Sequence, residues 1–132
     1  MKRVEIDLRP GEYAVARLAA DAEVPPGLLG ASGLVSVTRT PDELSVVCPA
    51  EHLGALPAGA RTSDGWRLLT VRGPLEFTLT GIMAALSAAL AAAGVTLFAL
   101  STFDTDHVLV RSADLDRAVR ALRDGGHQVH TG

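Results

Sequence analysis

Two carboxylates, Asp104 and Asp106, sit two residues apart in the run Ser101-Thr102-Phe103-Asp104-Thr105-Asp106, among three hydroxyl side chains and one aromatic ring. Such a cluster can hold an ammonium group, each charge-assisted hydrogen bond contributing roughly 1.5–3 kcal/mol. Thr80-Gly81-Ile82 offers the complementary chemistry. These residues open an apolar segment with helical spacing, and the free N–H groups and partial positive charge at a helix start attract a carboxylate. Gly81 lets a ligand approach the backbone closely. Donors at one place and acceptors at another suit a zwitterion, which nominates Thr80, Gly81, Ile82, Asp104 and Asp106 as ligand-binding residues. Asp is also a favoured turn residue. Residue types alone therefore leave a solvated hairpin turn open as the other reading of Asp104-Thr105-Asp106.

The remaining constellations exclude more than they suggest. Asp-x-Asp without further ligands is a poor divalent-metal site. His127 and His130, three apart in a strand, face opposite sides and make no zinc pair, while His52 and His107 stand alone. Gly30-Ala31-Ser32-Gly33 lacks the Lys-Ser/Thr of a phosphate loop, and no nucleophile elbow surrounds any serine. We expect no metal, no cofactor and no enzyme. Net charge is −3, and Lys2 is the only lysine, so no electrostatic footprint for nucleic acid is present. From Phe77 to Phe103 no residue is charged, long enough in total to span a bilayer. Gly94 divides this run into a helix-like half and a β-branched, aromatic half, each too short to cross. The start of the chain has no apolar secretion-signal region. A cytoplasmic protein with no membrane contact is expected. Cys48 is the lone cysteine and reads as a buried thiol in a strand.

The elements that must position the polar elbow follow from periodicity. Strands are expected at Glu5–Leu8, Tyr13–Leu18, Leu34–Arg39, Leu44–Cys48 and Trp66–Val71. A helix should run from Thr80 to Ala93, with Ile82, Leu86, Ala89, Leu90 and Ala93 on one stripe and Gly94 as its stop. Val95–Leu100 and His107–Arg111 are strands flanking the elbow. Ser112 can cap a last helix whose buried face is Leu115, Ala118, Val119 and Leu122, and Gly125-Gly126 ends it before a strand at His127–Thr131. Trp66 and Phe98 read as core or interface anchors. A shift of 63 residues lays Ser36–Glu43 over Ala99–Asp106, a suggestive internal repeat of strand, acidic elbow and strand. The fold class is α+β: two ferredoxin-like βαββαβ units side by side. The first, residues 1–64, is degenerate with short helices; the second, residues 65–132, is regular.

Three segments in order resemble a family of small tandem ACT-domain proteins: Val37-Thr38-Arg39-Thr40-Pro41-Asp42-Glu43-Leu44-Ser45-Val46-Val47-Cys48, Gly73-Pro74-Leu75-Glu76-Phe77-Thr78-Leu79-Thr80-Gly81-Ile82, and the elbow from Ala99 to Val110. The resemblance covers nearly the whole chain. That family is related to the animal cytosolic arginine sensors of nutrient signalling, which carry more ACT units. The likeness implies paired units with amino acids bound at the interface between them. The sensors' ligand loop is similar to Ser101-Thr102-Phe103 followed by Asp106-His107, with Thr105 standing where the sensors carry a bulkier aromatic residue. The resemblance thus adds Ser101, Thr102 and Phe103 to the candidate ligand-binding set of Thr80, Gly81, Ile82, Asp104 and Asp106. The expected function is an amino-acid-binding regulatory sensor. Its site would lie between Thr80–Ile82, Ser101–Asp106 and a facing elbow at Thr38–Glu43, in a homodimer or on a regulatory partner protein. The alternative is a non-catalytic interaction or dimerisation module with no ligand, pairing through a sheet edge.

Overall fold

Period-two alternation on five strands and period-3.6 stripes on two helices build the part of the molecule that carries the elbow. A computed structural model describes residues 3–75 and 81–132. Its elements are β1 (Glu5–Leu8), β2 (Tyr13–Leu18), β3 (Ser36–Arg39), β4 (Leu44–Pro49), β5 (Arg61–Val71), α1 (Ile82–Ala92), β6 (Leu97–Ser101), β7 (Asp106–Arg111), α2 (Leu115–Asp124) and β8 (Gln128–His130). Short 3-10 turns occupy Leu28–Gly30, Ala50–Ala55 and Ser112–Asp114. The chain divides into a larger unit, Met1–Pro10 with Trp66–Gly132, and a smaller one, Gly11–Gly65.

In the larger unit the strand order is β6-β7-β5-β1-β8. Taken without β1, the chain order β5-α1-β6-β7-α2-β8 is βαββαβ, the expected ferredoxin-like pattern. The sequence division placed β1 in the N-terminal half; here it lies between β5 and β8, antiparallel to the first and parallel to the second. Ile6 explains why. It sits opposite both Val71 and Val129 and is 1% exposed, so one short strand completes the apolar face that the helices cover. Alternation in Glu5-Ile6-Asp7-Leu8 reveals a strand but not its sheet.

Leu69, Val71, Val108, Val110 and Val129 point to the same face as Ile6 and pack with Ile82, Leu86 and Leu90 of α1 and Ala118, Val119 and Leu122 of α2. Each large side chain so buried contributes roughly 1.5–3 kcal/mol. Both helices end as their glycines require. Gly94 and Gly126 have φ of 72° and 93°, and Val95 N–H donates to Leu90 O (2.9 Å) as His127 N–H does to Leu122 O (3.1 Å). Ser112 stands three residues ahead of α2. It opens the 3-10 turn, α2 begins at Leu115, and Asp114 takes the guanidinium of Arg117 at 2.6 Å. On the sheet's other face Arg111 stacks on Trp66, 4.3 Å from the ring centre.

The smaller unit is simpler: β3-β4-β2, all antiparallel, around Ala16, Leu18, Leu28, Leu44, Val46 and Cys48. Two 3-10 turns stand where the larger unit has α-helices, which makes this unit the degenerate one. Cys48 is fully buried, and burial pushes its thiol pKa up. β5 starts at Arg61, five residues ahead of the expected Trp66, through polar residues that give no alternation signal.

The ladders also correct the internal repeat. Arg39 pairs with Leu44 across the β3–β4 turn, and Ser101 with Asp106 across the β6–β7 turn, an offset of 62 residues rather than 63. Both turns are four residues long. Thr40 N–H donates to Glu43 O and Thr102 N–H to Thr105 O, each at 2.9 Å. In this register Thr40-Pro41-Asp42-Glu43 lies over Thr102-Phe103-Asp104-Thr105, with Thr and Asp at matching positions. The 63-residue overlay had been out by one, an error that flips every side chain to the other face.

His127 supplies a test of the fold. It is 5% exposed, and its Nδ1 accepts Val4 N–H at 3.2 Å. Burial, then Arg3, lower its pKa below the ordinary 6.5. A histidine with a lowered folded-state pKa contributes stability that is fully present above 6.5 and lost as pH falls through the folded value. Melting temperature is therefore expected to hold level above neutral pH and to begin falling just below 6.5, before the carboxylate range. His127→Gln should flatten that early part of the curve in calorimetry.

Candidate functional site

Alternation along the β6–β7 hairpin decides which elbow side chains meet α1. Leu97 and Val110, Ala99 and Val108, and Ser101 and Asp106 are successive opposed pairs on the helix-bearing face. Asp106 is thereby delivered half-buried beside Ser101, whose hydroxyl donates to its Oδ1 at 2.5 Å. His107 turns to the opposite face, where Thr70 on β5 is its cross-strand neighbour.

The turn itself is tied from three directions. Thr102 donates to Thr105 O through its N–H (2.9 Å) and its hydroxyl (3.1 Å). With that hydroxyl proton committed, Thr102 Oγ1 is left to accept from His107 Nε2–H at 3.3 Å, and His107 Nδ1 accepts from the Thr70 hydroxyl at 3.1 Å. Burial lowers the His107 pKa, Asp106 opposes the shift and Arg9 adds to it, so the ring is neutral at pH 7. The chain leaving β5 supplies the third tie. Leu75 N–H donates to Asp104 O (2.7 Å) and the Thr105 hydroxyl to Val71 O (2.7 Å). A Cβ at Gly73 would lie 3.2 Å from both Asp104 O and Thr105 Cβ, closer than ordinary packing.

Gly81 precedes α1 with φ 88°, and a Cβ there would meet nothing within 4 Å. The glycine is needed for its left-handed backbone, not to relieve crowding. The first bond inside the helix is Ala85 N–H to Gly81 O at 2.9 Å. The N–H groups of Ile82, Met83 and Ala84 therefore have no acceptor inside the helix and lie at its end with partial positive charge.

These two features border one cleft of about 310 Å³, at the small end of the usual range for small-molecule sites. Leu75, Gly81, Ile82, Met83 and Ala84 line one side and Ser101, Thr102, Phe103, Asp104, Thr105 and Asp106 the other. The structure thus brings together Gly81, Ile82, Ser101, Thr102, Phe103, Asp104 and Asp106 from the sequence-derived set; Thr80 lies outside the described residues. All the lining residues belong to the larger unit. Phe103 stands at the rim, 81% exposed. Sequence reasoning missed Leu75, Met83, Ala84 and Thr105. Met83 and Ala84 follow from counting one helical turn past Gly81, whereas Leu75 enters only because its N–H docks on the elbow. Among the described lining residues two are acidic and none is basic. The cleft can therefore receive a carboxylate at the helix start and an ammonium at the elbow. No group of three or more metal-ligating side chains occurs among the described residues.

The comparisons with known proteins bear on the family and the fold. An ACT-domain family model matches residues 61–124, and a second model, described as an N-terminal domain, matches residues 11–55. A crystal structure of an Agobacterium tumefaciens protein is 36% identical, with a TM-score of 0.88, covering 100% of this chain and 96% of that one. The regulatory subunit of aspartate kinase from Thermus flavus is 13% identical, with a TM-score of 0.67 over 95% of this chain and 99% of that one, a likeness of fold alone. The human cytosolic arginine sensor for mTORC1 subunit 1 is 31% identical over 85 residues, 61% of this chain. The matched stretch spans 26% of the length of that sensor. The chain belongs to the ACT-domain family, shares one family with the Agobacterium protein along its whole length, and is related to the animal cytosolic arginine sensors.

Proposed function

We propose that this protein is a non-catalytic, cytoplasmic regulatory sensor that binds an amino acid in the cleft between the start of α1 and the 102–105 turn. The observation that carries the reading is the convergence of the α1 start and the Ser101–Asp106 pair on one small cleft with no basic residue among its described lining. In this reading the ligand carboxylate meets the N–H groups of Ile82, Met83 and Ala84. The ammonium meets Asp106, which the Ser101 hydroxyl orients, with Asp104 nearby. Two carboxylates and no cation disfavour acidic amino acids and admit neutral or cationic ones. Three or four such contacts, less ordering costs, correspond to micromolar to millimolar affinity. Similarity to an arginine sensor supports a regulatory rather than catalytic part. The sensor's cytosolic description supports the location.

A second reading, a dimerisation module without ligand, is favoured by one observation. Among the described residues β6 pairs with β7 alone, and its residues Leu97-Phe98-Ala99-Leu100-Ser101 include no charge and no proline to blunt pairing. β8, the other edge of the larger unit's sheet, is guarded: the Arg123 guanidinium takes Val129 O at 2.7 Å. The two readings are compatible, since a paired β6 leaves α1 in place.

Isothermal titration against the common L-amino acids decides between them. Saturable heat with at least one neutral or cationic amino acid, and none with aspartate or glutamate, is expected. Silence across the panel at millimolar ligand, with a stable dimer in light scattering, would leave only the second reading. For the ligand that binds, Asp106→Asn should weaken affinity roughly ten- to hundred-fold, as loss of a charged hydrogen bond of about 1.5–3 kcal/mol implies. Ser101→Ala should cost less, up to about ten-fold, because it releases the carboxylate without removing it. Thr105→Val, which deletes the bond to Val71 O, should weaken binding while shifting the melting temperature little.

A further inference from the structure

The two hairpins share a turn but not the residues that border it. With the ladders aligned at 62 residues, Arg39 stands where the larger unit has Ser101, and Leu44 where it has Asp106. Leu44 is 1% exposed and belongs to the smaller unit's core, so no carboxylate can be presented there. The first strands align too: Tyr13 opposite Pro49 corresponds to Trp66 opposite Arg111. In that register Arg17 corresponds to Thr70, and Ala20 and Ala22 to Gly73 and Leu75, the stretch that docks on the 102–105 turn.

The docking has been rebuilt with arginines. In the larger unit Asp104 O is taken by the Leu75 N–H; in the smaller unit Asp42 O, its counterpart, is taken by Arg17 Nη2 at 2.8 Å. Arg39 goes further. Its guanidinium donates to Ala20 O through Nη1 and to Ala22 O through Nη2 (2.6 Å), bridging the space between turn and preceding loop. The helix is missing as well. Between β2 and β3 lies only the three-residue 3-10 turn Leu28–Gly30, where the larger unit has the eleven residues of α1. The counterparts of Asp106 and of the α1 donors are both gone, and the Arg39 guanidinium occupies the place between turn and loop.

Resting on the proposed amino-acid site, we infer that each chain holds one ligand site, and that Arg39 closes the corresponding place in the first unit, making that hairpin a structural copy of the elbow. Arg39 is a positioning residue for the 19–24 loop, and Asp42 and Glu43 take no part in binding.

The test uses the full chain in two arms. In the first, the amino acid that gives heat in the titration panel is counted. One ligand per chain is expected, with affinity weakened roughly ten- to hundred-fold in Asp106→Asn and binding unchanged in the Asp42→Asn, Glu43→Gln double variant. Two ligands per chain, or residual binding in Asp106→Asn that the double substitution removes, overturns the inference. The second arm needs no ligand. Amide hydrogen exchange over residues 19–24 should rise roughly ten-fold in Arg39→Gln, the loss of about one net hydrogen bond, with exchange in β6 and β7 unmoved. Arg39→Lys should restore part of the protection. Unchanged exchange over 19–24 in Arg39→Gln overturns the closing role even if no amino acid binds, and an empty panel by itself counts only against the amino-acid site.

Discussion

The register that sets Ser101 opposite Asp106 is the constraint on which the rest of the larger unit depends. The same ladder that aims these two side chains at the start of α1 sends Val108 and Val110 into the core beneath the helices. A slip of one residue would turn His107 and Leu109 toward the helices in place of Val108 and Val110 and turn the acidic elbow away from the helix donors. Core and cleft are therefore specified together: the apolar residues cannot be satisfied without also presenting the polar ones. That coupling is why a binding elbow can be built on a hairpin, an element that is marginal alone.

The hydrogen bonds around the turn are individually modest, each net contribution being about 1 kcal/mol. Their value lies in direction. Main-chain bonds from Leu75 and Thr102, hydroxyl bonds from Thr105 and Thr102, and a neutral histidine between two threonines all converge on four residues. An elbow held this way presents its carboxylates in one geometry, so little ordering remains to be done when a ligand arrives. The first unit keeps the turn and its Thr-x-Asp pattern but spends Arg17 on the matching turn carbonyl, Asp42 O, and Arg39 on the loop carbonyls of Ala20 and Ala22.

What was legible in the sequence tracked what periodicity and glycine chemistry can report. The stripe Ile82, Leu86, Leu90, the α2 face at Ala118, Val119 and Leu122, and the stops at Gly94 and Gly126 were readable because burial repeats at 3.6 and left-handed termini need glycine. Gly81, Ile82, Asp104 and Asp106 could be gathered because types with opposite electrostatic roles flank a helix start and a turn, and Ser101, Thr102 and Phe103 through the family resemblance. What escaped depends on contacts distant along the chain. Ile6 chooses its sheet through Val71 and Val129. Leu75 reaches the cleft through a single main-chain bond to Asp104. Ser112 looks like a cap but stands three residues ahead of α2, because the chain takes a 3-10 turn first. The repeat was misplaced by one residue because an uncharged strand reads alike in neighbouring registers, and only the paired turns Thr40–Glu43 and Thr102–Thr105 fix the offset.

The central claim, that helix-start amides and an acidic elbow receive one zwitterion together, is most directly tested by nuclear magnetic resonance. Amide shifts of the full chain would be followed during titration with single amino acids. The account requires the amides of Ile82, Met83 and Ala84 to move with those of residues 101–106, on one binding curve, while β2, β3 and β4 stay still. Movement confined to the elbow with the α1 amides unaffected, or perturbations centred on another surface, would contradict it.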